Sequence, residues 1–261
     1  MEEQLLKIFE GNSELFITTS STGEVDERGK VQVETFTVHE PVTLKLWKDH
    51  LDGKQRIGIK PEKDDLCKWG CIDIDPQSYK DYSQKKVIDI LRDNQLPLIP
   101  VRSKSGGLHL FLFLDDWSPV KDVLKKLHEW NKNFFQALEV FPMNKCMNMP
   151  YFNMNATTEF AYNENNTPIM IGGFLDLVKN KTVTIEQLSN IKVKEYEPEE
   201  DWKHYPPCIQ KMIMDKWSGN HRNDLLYNVG VLEMKKRDGK INIEEMTNIL
   251  AQRNQQIFVT P

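Results

Sequence analysis

The sequence predicts an α+β chain followed by a small helical module. Three observations carry this. Short apolar or alternating runs bounded by turn residues recur between about residues 31 and 152, as strands do. Helical stretches interleave with them in a strand–helix–strand–strand order, which favours α+β over a doubly wound sheet. From Ile191 the composition changes, and beyond it every periodic segment is helical.

In chain order, the polar segment from Ser20 to Lys30 reads as a hairpin or loop, and VQVETFTV (31–38) alternates as a strand. A short helix opens at Pro41-Val42-Thr43-Leu44 and stops at Asp52-Gly53. QRIGIK (55–60) is a strand and KWGCIDID (68–75) a buried one. A helix from about Ser83 to Asp93 ends before Pro97, and LIPVR (98–102) is again a strand. SKSGG (103–107) is a glycine loop, and LHLFLFL (108–114) a strand apolar on both faces. Ser118-Pro119 reads as an N-cap with proline at the first helical position. Val120, Val123, Leu124, Leu127, Asn131 and Phe134 then follow at helical spacing. Leu138 to Phe141 is a short strand, and NMPYF (148–152) is a candidate for another.

The domain reading is therefore a catalytic-sized unit over 1–192, an acidic proline-bearing linker over 193–206, and a helical module over 207–261. In the module, Ile209, Met212, Ile213 and Trp217 mark one helix; Leu225, Val229 and Leu232 a second; residues 241–250 a third.

Composition narrows the class. The 261 residues are 39% hydrophobic and 28% charged, with a mean hydropathy of -0.56, enough apolar material for a sizeable core. No run of 18 apolar residues offers a membrane span, and the N-terminal MEEQLLKIFEGN carries glutamates where a leader needs positive charge. An intracellular, cytoplasmic protein is expected. The net charge of -5 excludes a general positive cloak for gripping DNA, so nucleic-acid contact would be local, through a groove or metal-bridged phosphates. Cys67, Cys71, Cys146 and Cys208 lack zinc-ligand spacing and read as reduced, mostly buried thiols.

Three features carry chemistry. Asp73 and Asp75 lie two apart at the end of a buried strand, so they share a face with Cα atoms roughly 6–7 Å apart. Two such carboxylates repel one another and are desolvated, and one should take up a proton unless cations meet them. A pair of Mg²⁺ or Mn²⁺ ions about 3.5–4 Å apart resolves this and builds a site for in-line phosphoryl displacement. Next, Gly106 and Gly107 sit beside Arg102, Lys104 and Ser105, a basic glycine turn where a phosphate can approach backbone N–H groups. His109 interrupts the apolar strand that follows, on the face of Phe111 and Phe113 and opposite Leu108, Leu110 and Leu112. Third, Glu139 interrupts the short run LEVFP and is a candidate third metal ligand.

In this order the set, hydrophobic-D-x-D, S-x-G-G-x-H and hydrophobic-E-V-F-P, resembles the archaeo-eukaryotic primase superfamily, most closely its phage and mobile-element primase-polymerases. The likeness extends to EPVTLKLWKDHLDGKQRIGIKP upstream, with its H-L-x-G, and to NMPYFN, IGGFLDLV and PPCIQKMI…GNHRNDLLYNVG downstream. It implies a split catalytic core, an αβ unit and an RRM-like unit enclosing the site. It implies Asp73, Asp75 and Glu139 as ligands of two Mg²⁺ or Mn²⁺ ions. His109 and Ser105 match the nucleotide-contacting histidine and the small residue before it, and Arg102, Lys104, Gly106 and Gly107 are expected around the triphosphate. The implied activity is template-directed primer synthesis or extension from NTPs or dNTPs on single-stranded DNA, with a replicative helicase fused or bound. After Pro142 the chain departs from the pattern: Met143-Asn144 stand where a lysine and a glutamine are usual, and Lys145 comes late. Two other classes use the same residues, a metal-dependent nuclease or phosphohydrolase with water as nucleophile, and a non-catalytic single-strand-binding helicase adaptor.

Overall fold

The structure is a computed structural model that describes residues 1–25, 31–76, 83–135, 137, 139–192, 205–214, 222–237 and 239–258. The chain divides into two compact units, Met1–Val193 and Lys194–Pro261.

The first unit contains two antiparallel sheets. The smaller has the order β2-β1-β3-β9, from β1 (Phe16–Val25), β2 (Val31–Val38), β3 (Arg56–Ile59) and β9 (Met147–Asn148). The larger has the order β11-β10-β6-β7-β5-β4, from β4 (Glu62–Lys63), β5 (Leu66–Ile74), β6 (Leu98–Arg102), β7 (Leu108–Pro119), β10 (Ala161–Tyr162) and β11 (Pro168–Ile169). The three-residue β8 (Glu139–Phe141) also pairs with β5. Among the described residues this unit has six α-helices, α1 (Glu2–Ile8), α2 (Leu44–Leu51), α3 (Gln84–Asp93), α4 (Val120–Trp130), α5 (Ile171–Lys181) and α6 (Ile185–Asn190), and α4 runs on into a π-helical turn, Asn131–Phe135.

The larger sheet is covered on both faces, and strand alternation sorts its side chains between two cores. Leu108, Leu110 and Leu112 pack with Val87, Ile88 and Leu91 of α3 and Val123, Leu127 and Trp130 of α4. Phe111 and Phe113 point the other way, to Phe9 of α1, Trp47 of α2 and Phe174 of α5, in a core shared with Ile57 and Ile59 of β3. Phe9 anchors it, with ring centroids 5.3 Å from both Phe111 and Phe113 and 5.5 Å from Trp69. Full burial of one such aromatic side chain stabilises by about 1.5–3 kcal/mol.

Gly70 fixes the middle of β5. A Cβ there would lie 2.7 Å from Leu127 Cδ1 and 2.8 Å from the Phe141 carbonyl oxygen. Only glycine lets α4 and β8 close on the strand together. A second joint unites H-L-x-G with N-M-P-Y-F-N. Buried His50 accepts a hydrogen bond from Ile57 N–H at 3.2 Å and donates through Nε2 to the Pro150 carbonyl at 2.9 Å. Burial lowers its pKa to about 4, with an opposing pull from the Pro150 carbonyl, so the ring is neutral. Nearby, Arg56 forms a bidentate pair with Glu159 at 2.5 and 2.7 Å.

Several expectations are corrected. The polar stretch from Ser20 takes the hairpin alternative, with its first part inside β1, which starts earlier, at Phe16, and pairs antiparallel with β2; residues 26–30 lie outside the described set. Ser118 is no N-cap. β7 runs on to pair Ser118 with Cys67 and Pro119 with Leu66, the Ser118 hydroxyl donates to the Asp116 carbonyl, and α4 starts at Val120 with Pro119 as its cap residue. The strand in NMPYF stops at Asn148, because Tyr151 and Asn153 adopt φ of 64° and 52°. Leu138, Trp217 and 193–204 of the linker lie outside the described residues. All four cysteines are free, with Cys67 and Cys71 buried and Cys208 exposed.

The second unit has α7 (Pro207–Met214), α8 (Arg222–Lys236) and α9 (Ile243–Ile257) around Tyr205, Ile209, Leu225, Val229, Ile257 and Phe258. Glu233 is fully buried there and bonds the Tyr205 hydroxyl, Arg237 and, at 3.1 Å, Arg253. Burial pushes its carboxyl up, but these donors outweigh it and hold the pKa below the usual carboxylate value. Among the described residues no helix is long and apolar enough to cross a membrane.

Candidate active site

β5 lies between β7 and β8 where it carries Asp73. Asp73 faces His109 on β7 and Glu139 on β8, so the three residues form one cross-strand row. Residues directly opposite on antiparallel strands hold their Cβ atoms about 4.5–5.5 Å apart. The row lies on the same face as Cys71, Phe111 and Phe141, two residues further along each strand, whose burial fixes the register. Asp75 follows just beyond the end of β5.

The electrostatics match this crowding. Burial, then the charges of Glu139 and Asp75, raise the Asp73 pKa to about 6. Burial lowers that of His109 to about 4. His109 Nε2 lies 3.5 Å from Asp73 Oδ1, but at neutral pH the imidazole is uncharged, so this is a polar contact and not an ion pair.

The glycine turn is fastened to the same place. Gly107 approaches so closely that a Cβ would lie 2.1 Å from the Ile74 carbonyl oxygen and 2.7 Å from Pro76 Cδ. Of the two glycines only Gly106 has positive φ, at 92°. Both N–H groups are used within the turn, Gly106 donating to the Ser103 carbonyl and Gly107 to Ser103 Oγ. In this arrangement the two amides hold the turn in shape. Lys104 and Ser105 are exposed at its tip, with Ser105 Oγ 3.0 Å from Ser103 Oγ.

Arg102 pairs with Leu108, and Val101 with His109, so alternation starts the Arg102 side chain on the face opposite the carboxylates. Its guanidinium donates to the Thr158 carbonyl at 3.2 Å and lies beside the glycine turn, 3.6 Å from where a Cβ on Gly106 would stand.

Two residues enter that the motifs did not assign. Buried Ser103 organises the turn; its signal is a serine at the first position of a β-turn. Lys145, six residues after Glu139, donates to Glu139 Oε1 at 2.8 Å.

Three carboxylates from Asp73, Asp75 and Glu139 form an all-oxygen donor set, the chemistry that Mg²⁺ and Mn²⁺ prefer, and the raised Asp73 pKa marks negative charge in want of a cation. As the side chains stand they do not close on a common point: among the described residues no three His, Cys, Asp or Glu are gathered as a metal cage, and Glu139 is turned to Lys145. The donors fit such an ion in kind and in strand register.

Residues 15–140 match the family model described as the archaeo-eukaryotic primase domain of the TOTE conflict system. No curated protein matches the chain. The matched span holds the whole cross-strand row and the glycine turn. Over this span the chain is similar to archaeo-eukaryotic primase domains, which supports membership of that superfamily and a nucleotidyltransferase-type enzyme.

Proposed function

We propose that the protein is a primase-polymerase, adding NTPs or dNTPs to a primer, or joining the first two, on a single-stranded DNA template. The observation that carries this is the cross-strand row His109–Asp73–Glu139 beside the glycine turn, inside the matched domain. Two antiparallel sheets, with the row on the larger, support a split core: an αβ unit from the smaller sheet with α1 and α2, and an RRM-like unit from the larger sheet with α3 and α4.

Asp73, Asp75 and Glu139 would hold two Mg²⁺ or Mn²⁺ ions. When bound, such ions acidify the attacking 3′-hydroxyl and neutralise the departing pyrophosphate. The chain's own groups bind and orient. Neutral His109 offers a phosphate oxygen a hydrogen bond from a partly exposed position, without needing a charge. Lys104 brings positive charge and Ser105 a hydroxyl from the tip of the turn, and Ser103 with the two glycines keeps that tip still. Arg102, whose guanidinium lies beside Gly106, adds positive charge at the turn.

The matched model's description as a conflict-system domain suits primer synthesis within such a system; a fused or bound helicase is proposed from the sequence resemblance alone. The test mixes the protein with single-stranded template, nucleotides and Mn²⁺. Labelled oligomers or extended primers are expected from wild type. Asp73→Ala with Asp75→Ala should lose on the order of a thousandfold in rate, since metal stabilisation of the transition state is worth several kcal/mol. Labelled DNA that shortens without nucleotides would favour a nuclease instead. A melting temperature indifferent to Mn²⁺ and nucleotide would favour a non-catalytic adaptor.

A further inference from the structure

We propose that Lys145 is a built-in competitor of the divalent cation: its ammonium group holds Glu139 out of the metal site until the ion displaces it. The inference rests on the metal-dependent reading above and adds how that site loads.

The geometry has three parts. Strand pairing sets Glu139 directly across from Asp73, so the backbone is already where a shared ion needs it. The Glu139 carboxylate nevertheless bonds Lys145 Nζ at 2.8 Å, and no cage of three acids forms among the described residues. Lys145 is also positioned from outside the site. It lies in the short connection from β8 to β9, whose Asn144 Oδ1 accepts from Lys60 Nζ at 3.0 Å at the end of β3. One end of this connection is thus tied to the larger sheet through β8 and the other to the smaller through β9 and Lys60.

Charge decides the rest. An ammonium and a divalent ion on one carboxylate repel, so occupancy by one lowers occupancy by the other. The Lys145 and Glu139 side chains are 58% and 39% exposed, and ion pairs this exposed are weak. Lys145 is therefore a displaceable plug: strong enough to neutralise Glu139 in the metal-free protein, too weak to keep the ion out. Without it, Asp73, Asp75 and Glu139 would face one another with no positive group on Glu139.

The experiment titrates Mn²⁺ into the full chain without nucleotide, reading free Mn²⁺ by electron paramagnetic resonance. Wild type, Lys145→Gln, Lys145→Arg, Glu139→Gln and the double variant Glu139→Gln with Lys145→Gln are compared, each first shown to melt as wild type does. Lys145→Gln should tighten Mn²⁺ binding by about two- to fivefold, the scale of an exposed ion pair, and the gain should shrink as salt rises. Lys145→Arg keeps the charge and should bind like wild type. In the Glu139→Gln background, removing Lys145 should change affinity little, because the competition has no object. Equal affinities for wild type and Lys145→Gln, or the same gain with and without Glu139, would overturn the inference. A wild type that binds no Mn²⁺ at all overturns the metal reading beneath it, which is a different result.

Discussion

Gly107 and Ile74 touch where no other residue than glycine fits: a Cβ on Gly107 would sit 2.1 Å from the Ile74 carbonyl oxygen. The contact fastens the basic turn to the strand that ends in Asp73 and Asp75. Gly107→Ala must therefore push backbone from backbone, at a cost of about 1–3 kcal/mol or more, as for overpacking elsewhere. Gly106→Ala meets nothing nearer than 3.6 Å and bears only the strain of positive φ, about 1–2 kcal/mol. Urea melts should rank Gly107→Ala as the less stable, and nucleotide titration should show it the weaker binder. The reverse ranking would remove this contact from the account of the site.

Gly70 makes the matching prediction for the other side of β5. Gly70→Ala would strike Leu127 and the Phe141 carbonyl, displacing β8 and with it Glu139. Thermal stability and Mn²⁺ affinity should fall together. A variant with wild-type Mn²⁺ binding would show that Glu139 does not depend on this packing.

The titration of Asp73 gives metal binding and stability a pH dependence. Its folded pKa is raised to about 6 from an ordinary 3.8, so in metal-free protein the folded state binds the extra proton between those values. That stability is present below pH 3.8 and is lost as pH rises through 6. Asp73→Asn should then stabilise the metal-free protein above pH 6, by about 1–3 kcal/mol at roughly 1.4 kcal/mol per pKa unit. Mn²⁺ and protons compete for the same oxygens, so wild-type affinity should fall as pH drops through about 6. The imidazoles act in the opposite sense. His50 and His109, both lowered to about 4, contribute stability above their unfolded value of 6.5 and lose it as pH falls through 4. Melts of wild type and Asp73→Asn from pH 4 to 8 separate the two, and parallel curves would exclude the Asp73 part.

His50→Ala leaves the Ile57 N–H and the Pro150 carbonyl without partners in a buried place, a loss of about 1–3 kcal/mol for each unsatisfied group. The expected result is a lower melting temperature for the metal-free protein, with Mn²⁺ binding retained in the folded fraction. Selective loss of Mn²⁺ binding at unchanged stability would instead give His50 a direct part in the site.

Glu233→Ala tests the second unit. Removing the carboxylate takes from Arg253, Arg237 and the Tyr205 hydroxyl the buried partner they share, and breaking a buried pair costs about 3–5 kcal/mol. Amide exchange in α7, α8 and α9 should accelerate. Protection unchanged from wild type would mean that Glu233 is not what holds these helices together.

The sequence was most informative where periodicity speaks. The alternation of Leu108, Leu110 and Leu112 against Phe111 and Phe113 places His109 on the correct face, and both cores follow it. Arg102 shows what pairing adds to nearness. Its pairing with Leu108 starts the side chain on the face opposite Asp73, and its length still carries the guanidinium to the glycine turn. Ser118 looked like a cap because serine before proline usually is one; a long-range pairing with Cys67 won. Periodicity had no means of setting Glu139 opposite Asp73. β8 is three residues long, and its register depends on a strand far away in the chain, so the interrupted run LEVFP singled out Glu139 without saying what it faces. The ion pair between Lys145 and Glu139 was beyond it for the same reason.

The late arrival of β8 has a consequence for synthesis on the ribosome. Asp73, the glycine turn and His109 all emerge well before Glu139, which joins them only when β8 docks on β5. A nascent or prematurely terminated chain lacking Phe141 would also lack β9, β10, β11, α5 and α6, and with them Met147, Tyr151 and Phe174 of the core. On the proposed reading, the acidic row and the core that holds it are therefore completed together, late in translation.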